Sequence, residues 1–312
     1  MCKKLISLLP YNTFKINAAT SSLVEISDEK QLGKNIPDCY ILGGGSNTLF
    51  TQDDNGPVLK VANRGIIVEG VVLKIAAGEI WNDVVKFAID RGLWGIEALV
   101  DIPGTVGGAT VQNIGAYGAE LKDVVVNVEV IDLISGERFI LPVDKCEYGY
   151  RTSIFKCHPT WLVWSVRVRL SKNKPVATER SIAGSTPFEI ASQISLLRSQ
   201  KLPPLEQYGS AGSFFKNPVV SFEKYEHLSR DFPNISGYVQ QNGVKISAGW
   251  LIEKCGWKGV RKGNVGVYEK QALVLINFGG ATGMEVLNLA SEIVADVEKK
   301  FGITLVSEVV VR

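Results

Sequence analysis

At 312 residues the chain is about twice the usual length of one domain, so two or three domains with their own hydrophobic cores are expected. Apolar residues make up 46% and charged residues 21%, which excludes a disordered chain and one that is mostly membrane. Lys and Arg exceed Asp and Glu by only two, 34 against 32, too small an excess for a nucleic-acid surface, although a local anion pocket stays open.

Met1-Cys2-Lys3-Lys4 is followed by a short apolar stretch, Leu5 to Leu9, and then by Pro10-Tyr11-Asn12. That is too short for a secretory core and has no small-residue cleavage site. No stretch approaches the roughly 20 apolar residues of a membrane span. Five cysteines, Cys2, Cys39, Cys146, Cys157 and Cys255, are odd in number and widely spaced, as fits thiols in a reducing compartment. The expectation is a cytoplasmic protein without membrane or nucleic-acid partners. With only His158 and His227, no metal site is expected.

Tyr40-Ile41-Leu42 reads as a buried strand that empties into Gly43-Gly44-Gly45-Ser46-Asn47. Val58 to Val61, Ile66 to Glu69 and Val71 to Ala76 are short β-branched runs split by glycines, the pattern of an antiparallel or mixed sheet. From Trp81 to Gly92 the period changes: Trp81, Val84, Val85, Ala88 and Ile89 share one helical face. Strands are expected again at Val124 to Leu133, Arg138 to Leu141 and Trp161 to Leu170, followed by a loop over Lys172 to Thr186. A helix introduced by Thr186-Pro187 carries Ile190, Ile194 and Leu197 and stops before Pro203-Pro204. Helices are also predicted over Ala248 to Lys254 and Glu285 to Phe301, and an apolar strand over Leu305 to Val311. The mixture is α+β.

Several segments carry residues suited to chemistry. In Gly43 to Asn47 the missing side chains let backbone N–H groups approach an anionic oxygen. The segment lacks both the G-K-[ST] ending of a P-loop and the G-x-G-x-x-G of a Rossmann turn. Ile102 to Gly118 holds Gly104, Gly107, Gly108, Gly115 and Gly118, a density that helix or strand stability does not explain. Two such loops suit a diphosphate, with apolar residues left to cover a planar ring. Tyr148 to Lys156 sets Arg151 among aromatics, a pattern that taken alone is met more often in exposed cation–π contacts than in catalysis. In Gly209 to Pro218, small residues expose Ser213 beside Phe214, Phe215, Lys216 and Asn217. No nucleophile elbow or nearby histidine accompanies it, so a proton-donating serine is the reading left. Glu308 lies alone in the apolar C-terminal run, where an acid on an edge strand commonly faces solvent.

Taken in order, Tyr11-Asn12-Thr13-Phe14, Gly43 to Asn47, Ile102 to Gly118, Tyr150 to Lys156, Gly212 to Pro218, Ala248 to Ile252 and Glu308 resemble the MurB family of UDP-N-acetylenolpyruvoylglucosamine reductases. The resemblance runs along nearly the whole chain. It implies a three-domain flavoprotein with a two-part FAD-binding fold of the PCMH/vanillyl-alcohol-oxidase type and an α+β substrate domain. The first FAD subdomain would be 1–60, completed by 302–312, the second 61–201, and the substrate domain 202–301. FAD would be non-covalent, held by Gly43, Gly44, Gly45, Ser46, Asn47, Ile102, Pro103, Gly104, Gly107, Gly108, Asn113, Gly115 and Tyr117. Lys201, Asn217, Tyr238 and Gln271 would meet the UDP-sugar. Ser213 would donate a proton, and Arg151 and Glu308 would complete the catalytic set.

For this reductase chemistry, NADPH supplies a hydride that reaches the terminal carbon of the enolpyruvyl double bond through the flavin. Arg151 would stabilise the charge that develops beside the carboxylate, and Glu308 could do so only when protonated or hydrogen-bonded through Arg151. A serine hydroxyl is a weak acid, so Ser213 needs a polarising neighbour such as Lys216 or a water chain.

The chain departs from the family pattern in two places. Some members place a tyrosine over the diphosphate where this sequence reads Pro175 to Arg180, and no tyrosine occurs between Tyr150 and Tyr208; Arg180 is the candidate substitute. Val309-Val310 stand where an arginine often follows the glutamate. The chain is expected to act as a monomer. Two other readings remain at this level: a dehydrogenase or oxidase of the same flavin fold acting on another small alcohol, and a catalytically silent nucleotide-binding module.

Overall fold

The computed structural model describes residues 5–32, 36, 39–53, 56–175 and 182–312. Cys2 and Arg180 lie outside the described residues. Two compact units emerge. One is made chiefly of Thr20–Gly45 and Asp54–Arg198, the other of Ser7–Ala19, Ser46–Asp53 and Ser199–Arg312.

The first unit is built on two sheets. Ser22–Ile26, Pro57–Val61 and Tyr40–Leu42 form a three-stranded parallel sheet with Pro57–Val61 in the centre. Ile66–Glu69 and Val72–Ala76 instead join Trp161–Arg169, Val125–Asp132 and Arg138–Pro142 in a five-stranded antiparallel sheet. The three short runs predicted as one sheet therefore divide between two. Parallel partners come from distant sequence, so neither a hairpin turn nor alternation announces them. Helix α1 (Trp81–Ile89) buries Trp81, Val84, Val85 and Ala88, the face its periodicity predicts. These residues join Leu73, Ile75, Val128, Val130, Leu162 and Val166 in one core.

Val106–Gln112 forms a second helix, α2, which corrects the reading of Ile102 to Gly118 as loop throughout. Gly107 and Gly108 lower its propensity by about 1 kcal/mol each relative to alanine. Tertiary bonds offset this: the N–H of Val106 donates to Glu79 O at 2.9 Å and that of Gly107 to Ala77 O at 2.8 Å. Helix α3 (Pro187–Lys201) follows.

In the second unit, α4 (Phe222–Asp231), α5 (Ala248–Lys254) and α6 (Gly283–Phe301) accompany two small antiparallel sheets. Helix α4 escaped sequence reading because it buries only Leu228. Its signal was the cap: Ser221 Oγ accepts from the N–H of Lys224 at 3.2 Å. Regular strand at the C-terminus is confined to Val310–Val311, parallel to Thr48–Leu49, while Ser307 makes a single bridge to Phe215.

Helix α6 carries a full capping box. Thr282 Oγ1 accepts from the N–H of Glu285 at 3.2 Å, and Glu285 Oε2 accepts from the N–H of Thr282 at 2.8 Å. The backbone and side-chain bonds from Thr282 hold the Glu285 carboxyl below its ordinary value. A depressed carboxylate contributes stability that is present above its unfolded value and lost as pH falls through its folded one. Thr282→Ala is expected to cost about 1 kcal/mol, or roughly 2 °C in Tm, at neutral pH. The gap from the unsubstituted protein should narrow in acid, which scanning calorimetry at two pH values reads directly.

Candidate active site

In the first unit, the two glycine-rich segments meet backbone against backbone. A Cβ on Gly44 would stand 2.6 Å from Gly104 Cα, and one on Gly43 would stand 2.7 Å from Thr105 Oγ1 and 3.7 Å from Gly108 N. Only glycine permits this approach. Two polar features are left over. Among the described residues Thr105 Oγ1 is buried without a hydrogen-bond partner, and the N–H groups of Gly44 and Gly45 donate to none. Buried polar groups ordinarily find partners. An unspent hydroxyl beside bare amides is the chemistry that receives phosphate oxygens, so the residues fit a dinucleotide diphosphate. Ile102 and Pro103 lead into this cradle.

The far end of the same segment is ordered around Asn113, which is fully buried and caps α2 with φ +46°. Its amide donates to Gly149 O at 3.0 Å and to Glu120 Oε2 at 3.2 Å, and its Oδ1 accepts from the N–H of Lys122 at 3.0 Å. Arg151 lies alongside. Its Nη2 donates to Gly115 O at 2.7 Å, and its guanidinium carbon stands 5.3 Å from the Tyr150 ring centre. Arg151 is half-buried, so the cation–π contact with Tyr150 is present but only partly exposed. Its backbone is left-handed at φ +55°, as are those of Tyr117 at +49° and Glu147 at +48°. Lys156 Nζ, bonded to Arg151 O at 2.9 Å and also to Gln112 Oε1, holds that turn. Strained non-glycine residues gather where the surrounding structure over-determines them, commonly at functional sites. Burial pushes the nearby Cys146 thiol up to about 11 and raises the Tyr148 phenol as well, so both are neutral at physiological pH.

In the second unit, an extended segment carries Ser213. The N–H of Phe214 donates to Leu273 O at 2.8 Å and that of Lys216 to Val306 O at 2.9 Å, while Phe214 O accepts from the N–H of Glu308 at 2.8 Å. Ser213 and Glu308 thus sit on adjacent extended segments although nearly a hundred residues separate them in sequence. Phe214 anchors the arrangement, 1% exposed and edge-on to Phe14 and Phe215 at 6.2 Å and 5.1 Å between ring centres.

Asn47, at the end of the first glycine-rich segment, binds the same C-terminal chain: its Nδ2 donates to Glu308 O at 3.2 Å and its carbonyl accepts from the N–H of Val310 at 3.0 Å. Ser46 precedes it, half-buried. Asn217 Oδ1 accepts from the N–H of Ala248 at 2.9 Å, fixing the start of α5. Gln271 packs on that helix, where a Cβ on Gly249 would stand 3.0 Å from its Oε1. Asn217 and Gln271 are therefore bound into the framework around Ser213. Lys201 is exposed at the end of α3, and Tyr238 is 52% exposed on Gly237–Gln240. Sequence reading missed Asp101 and Thr105. The signal for Asp101 was its place directly before Ile102-Pro103-Gly104, where φ is +56°.

A phosphate-fitting cradle on an α+β framework suits a dinucleotide-binding protein, and the matches below make it a flavin-binding oxidoreductase. Residues 31–141 match the model of an FAD binding domain, and residues 203–312 that of the C-terminal domain of UDP-N-acetylenolpyruvoylglucosamine reductase. The chain belongs to the UDP-N-acetylenolpyruvoylglucosamine reductase family. The reductase of Shewanella sp. (strain ANA-3) is 43% identical over 97% of this chain and 94% of its own length. That of Pseudomonas aeruginosa is 42% identical over 97% and 96%. The crystal structure of the Thermus caldophilus enzyme superposes with a TM-score of 0.73 at 25% identity, covering 99% of this chain and 98% of the other. FAD is accordingly the cofactor. Among the described residues no helix is long and apolar enough to cross a membrane, and no three or more His, Cys, Asp or Glu side chains gather as metal ligands would.

Proposed function

We propose that this chain uses NADPH to reduce UDP-N-acetylglucosamine enolpyruvate to UDP-N-acetylmuramate in peptidoglycan precursor synthesis, with Ser213 as proton donor and Arg151 and Glu308 as charge stabilisers. The observation that carries the residue assignment is the bond from the N–H of Glu308 to Phe214 O at 2.8 Å, which fixes the glutamate beside the serine. Bound FAD supplies the hydride chemistry. The cradle formed by Gly43, Gly44, Gly45, Ile102, Pro103, Gly104, Gly107 and Gly108, extended by Ser46, Asn47, Asn113, Gly115 and Tyr117, would hold it. The pairing of Val310–Val311 with Thr48–Leu49 supports assigning 1–60 with 302–312 to one FAD subdomain, beside 61–201 and a substrate domain at 202–301.

In this scheme Arg151 keeps its charge against the substrate carboxylate, where negative charge grows as hydride arrives at the adjacent carbon. Its bond to Gly115 O and its braced backbone hold the guanidinium in place, so no reorganisation is needed at that moment. Glu308, half-buried, is fixed through its backbone by the bond to Phe214 O. Ser213 delivers the proton to the carbanionic carbon, with a water supplying its replacement. Lys201, Asn217, Tyr238 and Gln271 orient the UDP-sugar.

The test is colour. Under anaerobic conditions NADPH should bleach the yellow protein, and UDP-N-acetylglucosamine enolpyruvate should restore the colour within a turnover; bleached protein that stays colourless with that sugar would mean a different oxidant.

A further inference from the structure

Arg198, on α3, has no part in the reductase scheme, yet its surroundings are unusual. Its Nη2 donates to Asp101 O at 3.0 Å, directly before the Ile102-Pro103-Gly104 stretch of the cradle. Burial pulls the guanidinium below its ordinary value, with the Asp101 carboxylate acting in the opposite direction to favour its charge. Asp101 itself is held in left-handed backbone by a reciprocal pair with Asn82, at 3.0 Å and 2.8 Å, and by the Ser195 hydroxyl. The loop geometry is thus fixed without Arg198. What remains is its Nε, buried and without an acceptor among the described residues.

A guanidinium carries all its donors in a rigid planar fork, and a buried donor left unmade is costly. Four buried side-chain polar atoms lack a partner among the described residues, and Thr105 Oγ1 is another of them, in the cradle that Asp101 introduces. Two unspent donors, one at each side of Ile102-Pro103-Gly104, describe a site built for a ligand that carries acceptor oxygens.

We infer that Arg198 is an FAD-binding residue whose Nε–H donates to an acceptor oxygen of the cofactor, at a standing cost to the apoprotein. The inference rests on the flavin reading of the cradle and adds a residue to it. A group kept for the ligand should trade the two states against each other: its removal weakens FAD binding without weakening the empty protein.

The experiment measures FAD affinity by fluorescence on the deflavinated full chain, together with the Tm of that apoprotein, for Arg198→Met, Arg198→Lys and Ser195→Ala. Loss of one charge-assisted hydrogen bond predicts a Kd roughly ten- to hundredfold higher for Arg198→Met, with an apoprotein Tm at or above that of the unsubstituted chain. Arg198→Lys, which keeps the charge but not the fork, should fall between. Ser195→Ala, which touches only Asp101, should shift Kd by less than about threefold. Repeating the titration with riboflavin separates the two oxygen sources: a diphosphate acceptor leaves riboflavin binding unaffected, and a ring carbonyl carries the loss over to riboflavin. A Kd for Arg198→Met within about threefold of the unsubstituted value, or an apoprotein Tm that falls in step with affinity across both arginine variants, overturns the inference. Failure of the unsubstituted chain to bind FAD at all would strike at the flavin reading itself.

Discussion

Ser213→Ala is expected to leave NADPH-driven bleaching of the flavin nearly unchanged while slowing the substrate-driven return of colour by about three orders of magnitude. The magnitude follows from what a positioned acid contributes, typically 10²- to 10⁴-fold. Its confinement to one half-reaction follows from the assigned role, because reduction of the cofactor by NADPH needs no proton at the sugar. The structure makes this substitution a clean one. Ser213 is half-buried, and the framework around it is carried by Phe214, buried between Phe14 and Phe215, and by backbone bonds to Leu273, Val306 and Glu308. None of these involves the serine hydroxyl. Stopped-flow absorbance resolves the two phases, and equal slowing of both would show that the serine shapes the site instead of donating the proton.

The second large effect concerns the cradle. Gly44→Ala places a methyl 2.6 Å from Gly104 Cα, 3.2 Å from Gly104 C and 3.4 Å from Thr105 N. All three are backbone atoms and cannot swing aside. Nor is that backbone free to retreat: Gly104 O accepts from the N–H of Trp81 at 3.0 Å, and the next residues are tied to Glu79 and Ala77. Overpacking of this kind costs about 1 to 3 kcal/mol, and the same displacement separates the amides that should share the diphosphate. FAD affinity is expected to fall about a hundredfold, with a lowered apoprotein Tm. The contrast with Arg198→Met is informative, since there affinity falls while the apoprotein is spared. Retention of FAD at the unsubstituted affinity by Gly44→Ala would mean that the two loops do not close on each other as described.

Much of this was legible in the chain itself, where the signals are local. Helices α1, α5 and α6 follow from the apolar pattern, α1 with Gly92 as its stop, and the two glycine-rich segments follow from residues that neither helix nor strand would choose. Helix α2 was hidden because Gly107 and Gly108 argue against a helix, and the bonds to Ala77 and Glu79 that rescue it come from elsewhere in the fold. The division of Pro57–Val61 and Val72–Ala76 between a parallel and an antiparallel sheet was hidden for the same reason: strand pairing between distant segments leaves no local trace. At the site, residue types alone left Arg151 and Glu308 open and it was the family resemblance that singled out Ser213, Arg151 and Glu308, yet nothing in their spacing foretold that Glu308 would pair with Phe214. Left-handed backbone at Arg151 and Asp101, and the unspent donor of Arg198, belong to tertiary context and could be found only in the structure.

Coupling between the two substrates bears most directly on the proposed reaction. With the purified protein, NADPH consumption followed at its absorbance band should be negligible alone and should begin when UDP-N-acetylglucosamine enolpyruvate is added. Mass spectrometry should then show one UDP-N-acetylmuramate formed for each NADPH consumed. NADPH oxidation that turns over without the sugar, beyond the one equivalent that reduces the flavin, or that consumes NADPH while leaving the enolpyruvyl group intact, would contradict the assignment.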